Sequence, residues 1–90
     1  MTSPPEHLNN HHRDTLRELF RHPAGHNIEW HNVVSLLNAV GTVTTHHDGK
    51  VTATVGEQSV VLTPPAGKDV DTRTVTDLRT MLAAAGYSSG

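Results

Sequence analysis

Apolar residues recur at helical spacing in three separate parts of the chain, with polar residues between them. The first stripe predicts a helix over about residues 10–22, which Pro23 ends. The second predicts a helix that Asn27 can cap and that Gly41 ends in a left-handed conformation. The apolar residues of these two stripes are Leu16, Leu19 and Phe20, and then Trp30, Val33, Val34, Leu36, Leu37 and Val40.

The third stripe lies near the C-terminus of the sequence. It predicts a helix that starts at Asp71 or Thr72, because either side chain can cap it. Gly86 ends this helix, and Tyr87 is placed to fold back on its last turn. The buried face consists of Val75, Leu78, Met81, Leu82 and Ala85.

Between the second and third helices the pattern changes to alternation of β-branched residues with a period of two, which is typical of strands. We predict strands at Thr42–Thr45, Val51–Val55 and Ser59–Thr63. Asp48-Gly49 between the first two is a strong hairpin signal. Pro64-Pro65 ends the third strand.

These elements predict one α+β domain in the order α-α-β-β-β-α, over residues 9–87, with tails at 1–8 and 88–90. The strands form an antiparallel meander with the second strand in the centre, and the second and third helices pack on one face of it. The other face is rich in threonine. The first helix covers the helix pair, a sheet edge or part of that open face. The expected core comprises Val33, Leu37, Val40, Val51, Ala53, Val55, Leu78, Leu82, and Val61 or one of its neighbours.

The composition narrows the range of functions. The chain has ninety residues, no cysteine and a formal net charge of −2. Disulfides and zinc–thiolate sites are excluded, and an acidic balance argues against strong non-specific binding to nucleic acid. No segment has the pattern of a signal peptide or of a membrane span, so we expect a soluble, cytoplasmic domain.

Eight histidines raise the question of a metal site. The series His22, His26, His31 has ligand-like spacing, but Pro23 and Gly25 lie between its first two members and break any helical register. A metal site needs three or four ligands that converge on one point, and no spacing here demands that. We therefore expect surface histidines, with no metal and no cofactor.

Four basic residues are candidates for binding nucleic acid: Lys50 at the hairpin, Lys68 before the third helix, and Arg73 and Arg79 on it. They form either a phosphate-binding patch or part of a mixed-charge surface, because Asp69, Asp71 and Asp77 are interleaved with them. Trp30 is either a stacking platform for a base or an apolar anchor of the core, and its helical spacing favours the anchor.

Four stretches in order resemble the HicA family of bacterial toxins. They are WHNVVSLLNAVG from Trp30 to Gly41, DGKV from Asp48 to Val51, the third strand from Val60 to Pro65, and LRTMLAAAGY from Leu78 to Tyr87. The resemblance implies a fold like that of double-stranded-RNA-binding domains, in the order helix–strand–strand–strand–helix. It also implies a toxin–antitoxin-type module, RNA as a ligand and a HicB-like antitoxin as partner.

The chain departs from the family at one position. The typical family motif is Gly-Ser-His at the start of the second strand, where the histidine acts in RNA cleavage, and here the run is Gly49-Lys50-Val51. His46 and His47 precede the turn and are the substitute candidates. We expect weak RNA binding without efficient cleavage.

The alternative interpretation is a non-catalytic protein–protein interaction module on the same fold. The missing histidine, the acidic charge and the additional first helix favour it. The apolar stripe of that helix either completes the core or forms a homodimer contact.

Overall fold

A computed structural model describes residues 10–21 and 28–87. The elements are α1 Asn10–Phe20, α2 Trp30–Val40, β1 Thr42–Thr45, β2 Val51–Val55, β3 Gln58–Leu62 and α3 Thr72–Ala84. The predicted order α-α-β-β-β-α is confirmed. The predicted tails lie outside the described residues, as do His22, Pro23 and Asn27, where the end of the first helix and the cap of the second were expected.

The sheet is an antiparallel meander with strand order β1-β2-β3. Along β2 the burial alternates as predicted, with Val51, Ala53 and Val55 buried and the two threonines half-buried. β3 begins one residue earlier than predicted, because Gln58 pairs with Val55 across the tight turn. That register turns Val61 outward, 59% exposed, and its neighbour Leu62 takes the core position that was expected of Val61 or one of its neighbours.

The residues that the three strands turn outward, here called the open face, have uncharged side chains. Pairing across the strands aligns Thr42, Thr54 and Ser59 in one row and Thr44, Thr52 and Val61 in the next. These side chains are exposed or half-buried. The predicted threonine-rich face is therefore confirmed.

The helices form two layers on the other side of the sheet. α2 lies on β1 and β2, and α3 lies on β3. α1 packs against α2 and α3, so it covers the helix pair rather than the open face. The buried apolar residues join into one cluster: Leu16, Leu19, Ile28, Val33, Leu36, Leu37, Ala53, Val55, Leu62, Val75, Leu78, Met81 and Leu82. Trp30, Val40, Val43 and Val60 are partly buried against it.

The start of α2 differs from the prediction. Glu29 occupies the N-cap position with extended backbone and no side-chain cap bond. The reason is that the chain before the helix pairs with the chain before α3: Trp30 N donates to Lys68 O (2.7 Å), and Val70 N donates to Ile28 O (2.9 Å). Because Glu29 pairs with Asp69 in extended conformation, α2 begins only at Trp30. The same pairing holds the starts of α2 and α3 next to each other.

The two ends of α3 follow the prediction. Asp71 caps the helix, with its Oδ1 accepting from Thr74 N at 2.8 Å. At the other end Gly86 takes a φ of 99°, and Tyr87 N donates to Leu82 O at 2.9 Å. This is the hydrogen-bond pattern of a Schellman motif, and the Tyr87 ring packs partly buried against the core.

Gly41 ends α2, but not in the left-handed conformation expected for it. Its φ is −168°, which is extended backbone. The need for glycine is spatial, because a Cβ at this position would lie 1.9 Å from the carbonyl oxygen of Thr54.

Candidate nucleic-acid interface

Several chain segments meet at one end of the molecule. The β1–β2 turn and the exit of β3 lie at the same end of the sheet, because Thr45 pairs with Val51 and Val51 pairs with Leu62. The paired segments 28–30 and 68–70 hold the starts of α2 and α3 together, and α3 begins where the chain returns from β3. We call this region the hairpin end of the molecule.

The β1–β2 hairpin presents Lys50. His46 N donates to Lys50 O at 2.8 Å, and Gly49 N donates to His46 O at 2.9 Å. Gly49 has a φ of 94°, which fits a three-residue loop that closes with glycine in the left-handed region. Asp48 Oδ1 accepts from Lys50 N at 3.0 Å and stabilises the turn. The Lys50 side chain is exposed.

The two substitute histidines have different surroundings. The His46 ring is exposed, but its Nε2 is hydrogen-bonded to Thr52 Oγ1 at 2.7 Å. That bond holds the ring at the open face, beside the beginning of β2. His47 is an exposed residue of the turn. No hydrogen bond among the described residues joins the His46 ring to the His47 ring. A general base needs placement as well as a suitable pKa, and only His46 has placement.

Lys68 and Arg73 flank the start of α3. The carbonyl of Lys68 is used in the bridge to Trp30, while its side chain is exposed. Arg73 is in the first turn of α3 and lines a groove together with Thr63 and Pro64. Leu62 pairs with Val51 across the sheet. Thr63 comes directly after Leu62 and Lys50 comes directly before Val51, so the groove begins close to the Lys50 end of β2.

Arg79 does not belong with these residues. Its Nε donates to Leu19 O at 3.0 Å, and its Nη2 donates to Arg21 O at 3.3 Å. These carbonyls are at the C-terminal end of α1, where a cation also interacts favourably with the helix dipole. Arg79 therefore links α1 to α3 and uses two of its five guanidinium N–H groups in doing so.

Carboxylates accompany the basic residues at the hairpin end. Asp69 lies next to Lys68, and Asp71 lies two residues before Arg73. The backbone N–H of Thr74 holds the pKa of Asp71 below its ordinary value, with a further contribution from the Thr74 side chain. Asp71 is thus an anion at neutral pH and reduces the positive field around Arg73.

The other described histidines hold parts of the fold in place. His11 Nε2 donates to Asn32 Oδ1 at 2.7 Å, and His12 Nε2 is hydrogen-bonded to Ser35 Oγ at 2.8 Å, so both connect α1 to α2. His31 Nε2 donates to Glu29 Oε1 at 2.6 Å. Within residues 10–21 and 28–87, no three His, Asp or Glu side chains are grouped to hold a metal ion. His22 and His26, two members of the ligand-like series, lie outside that part.

Trp30 supports the anchor interpretation. Its ring is partly buried against the core cluster, and its backbone N–H is engaged by Lys68 O. A stacking platform needs an open aromatic face, which a ring packed on the core does not offer on that side.

In the described part of the chain, no helix is both long and apolar enough to cross a membrane.

Comparisons of this chain with protein families, with curated proteins and with solved structures return no match. The candidate interface therefore rests on the geometry of the hairpin end. The sequence predicts Lys50, Lys68 and Arg73 as candidates for this interface, but it does not predict the hydrogen bond that places His46. The signal for that placement is the pairing of two threonine-rich strands, which puts Thr52 within reach of the histidine that follows β1.

Proposed function

We propose that this chain is a HicA-like domain of a toxin–antitoxin-type module that binds RNA weakly at the hairpin end. In this proposal it works in the cytoplasm, and its protein partner is a HicB-like antitoxin. The RNA-binding residues are Lys50, Lys68 and Arg73.

One observation carries the proposal. Three exposed cations lie on the segments that strand register and the Glu29–Asp69 bridge hold at the hairpin end: one on a hairpin, one on the segment before α3 and one on its first turn. A surface of this kind can contact successive phosphates of a nucleic acid. From α2 onward the element order and the packing of both helices on one face are those that the resemblance implies, which supports the same proposal.

The charge balance sets the expected strength. Asp69 and Asp71 lie among the cations, and the whole chain carries a formal net charge of −2. Few phosphates are neutralised, so the affinity is low and falls with salt. Each phosphate contact contributes a slope of roughly 0.7 to 0.9 in the plot of log affinity against log salt concentration.

Fluorescence anisotropy with a short RNA hairpin, over a series of salt concentrations, tests the proposal. We expect Lys50→Glu, Lys68→Glu and Arg73→Glu each to weaken binding several-fold and to flatten the salt dependence. Arg13→Glu is the matched control, because Arg13 is an exposed cation on α1. If all three variants bind RNA as the natural chain does, the patch has no role in RNA binding.

The alternative is a non-catalytic interaction module. The observation that favours it is the unpaired edge of β3, which offers backbone groups to a protein partner. Gene context separates the two functions: a short neighbouring reading frame with a partial RNase-H-like domain supports the toxin–antitoxin module.

A further inference from the structure

Two neighbouring concave parts of the surface lie between β3 and α3. One part is lined by Gln58, Ser59, Val60, Asp77, Thr80, Met81 and Ala84. The other part extends past Val61 and Leu62 to Pro65 on the strand side and to Arg73 on the helix side. Asp77 lines both parts, and together we call them the β3–α3 groove.

The strand side of this groove is an unpaired sheet edge. β3 is the last strand in the order β1-β2-β3. Val55 and Gln58 close the two-residue turn Gly56-Glu57 and therefore form a hydrogen-bonded pair. Because such pairs alternate along an antiparallel ladder, the N–H and C=O groups of Ser59 and Val61 point away from β2. Within residues 10–21 and 28–87 no other segment pairs with them.

The helix side of the groove carries an unpaired charge. Asp77 is half-buried and makes no hydrogen bond or ion pair with the other described residues. A lysine or arginine side chain placed beside this carboxylate would form a charge-assisted hydrogen bond with it, which is stronger than a bond between neutral groups. Val60 and Met81 provide apolar surface on either side of the groove.

We propose that the β3–α3 groove binds an extended peptide segment of a partner protein, which adds to β3 as a fourth strand and places a lysine or arginine against Asp77. Strand addition beside a helix uses main-chain hydrogen bonds for affinity and alternate side chains for specificity. The proposal does not depend on RNA binding. A second copy of this chain is a poorer occupant, because its β3, from Gln58 to Leu62, contains no lysine or arginine to place against Asp77.

Proline at position 61 tests the main-chain part of the proposal. The Val61 N–H faces the open edge, so Val61→Pro removes a donor from the groove while leaving the ladder to β2 intact. Val61→Thr is the matched control, because it keeps the β-branched shape and the N–H. The probes are short peptides of alternating threonine and valine with a central lysine, arginine, asparagine or glutamate, titrated by NMR.

We expect the lysine and arginine peptides to shift and protect the amides of Ser59 and Val61, with binding weakened about tenfold by Val61→Pro and unchanged by Val61→Thr. Asp77→Asn should abolish the preference for lysine over glutamate without changing the fold. The proposal is overturned if none of the peptides binds at millimolar concentration, or if the shifted amides lie on β1 or the open face. The affinity of Asp77→Asn for RNA, measured in parallel, is not expected to fall. Peptide binding in the β3–α3 groove and RNA binding at the hairpin end are therefore tested independently.

Discussion

The carbonyl oxygen of Thr54 occupies the space where a side chain at Gly41 would begin, since a Cβ there would lie 1.9 Å away. The contact joins the end of α2 to the central strand and lets β1 start directly after the helix. Glycine is required here because two stretches of backbone approach each other closely, and neither can yield as a flexible side chain can.

We therefore expect Gly41→Ala to lower the free energy of unfolding by about 3 kcal/mol, at the upper end of the usual cost of overpacking. Urea denaturation followed by circular dichroism measures it. Gly67→Ala is the control, because nothing lies within 4 Å of a Cβ at that position. Its effect should stay within about 0.5 kcal/mol. Equal stability of the two variants would contradict the close approach.

The cap of α3 makes stability depend on pH in the acid range. The hydrogen bond from Thr74 N lowers the pKa of Asp71 in the folded chain. A lowered pKa contributes stability above the unfolded value of about 3.9, and this contribution is lost as the pH falls through the folded value. We expect Asp71→Ala to be less stable than the natural chain at neutral pH, with the difference shrinking in strong acid.

Asp71→Asn separates the cap from the charge in the same unfolding series. Asparagine is a good N-cap but does not ionise, so this variant should keep much of the stability and lose only the part of the pH dependence that Asp71 contributes. If Asp71→Ala unfolds with the same midpoint as the natural chain at neutral pH, the cap contributes nothing.

α1 contributes to the core through Leu19, which is fully buried, and Leu16, which is 7% exposed. Leu19→Ala should cost about 3 kcal/mol, and Val61→Ala, at a site 59% exposed, much less. Removing residues 1–24 should abolish cooperative thermal unfolding, because it exposes the α2–α3 surface that α1 covers. A truncated chain that stays folded and monomeric, from a dimeric parent, would instead make α1 an interface helix.

RNA cleavage is expected to be absent at neutral pH. His46 Nε2 is hydrogen-bonded to Thr52 Oγ1, and no acidic or basic side chain of the described residues is hydrogen-bonded to the His46 ring. Efficient cleavage needs positioned groups for both proton transfers.

Growth and RNA-integrity assays on the natural chain and on the His46→Ala/His47→Ala double variant test this expectation. RNA degradation that the double variant abolishes would identify these histidines as the active site. Toxicity that persists in the double variant would indicate binding without cleavage.

Local signals predicted most of the fold. The boundaries of β1 and β2 follow from alternation and from Asp48-Gly49, and the ends of α3 follow from Asp71 and Gly86. The phase of β3 was harder to predict, because Val60, Val61 and Leu62 are all apolar and only the tight turn at Gly56-Glu57 decides which of them faces inward.

The remaining differences depend on tertiary contacts. The role of Arg79 could not be predicted, since it depends on where the end of α1 packs. The late start of α2 depends on Asp69, a residue far along the chain from Glu29. The position of His46 requires knowledge of which strand lies beside β1. In the candidate site, residue types were predictable and their partners were not.

The bridge between Glu29 and Asp69 also bears on the order of folding. The chain between these two residues contains α2 and the whole sheet, whose strand pairs are all joined by short turns. Local hairpins close at little entropic cost, whereas joining Glu29 to Asp69 requires a long loop to close. Folding kinetics should therefore be set by the docking of α3 beside α2, with the meander already formed when the bridge closes.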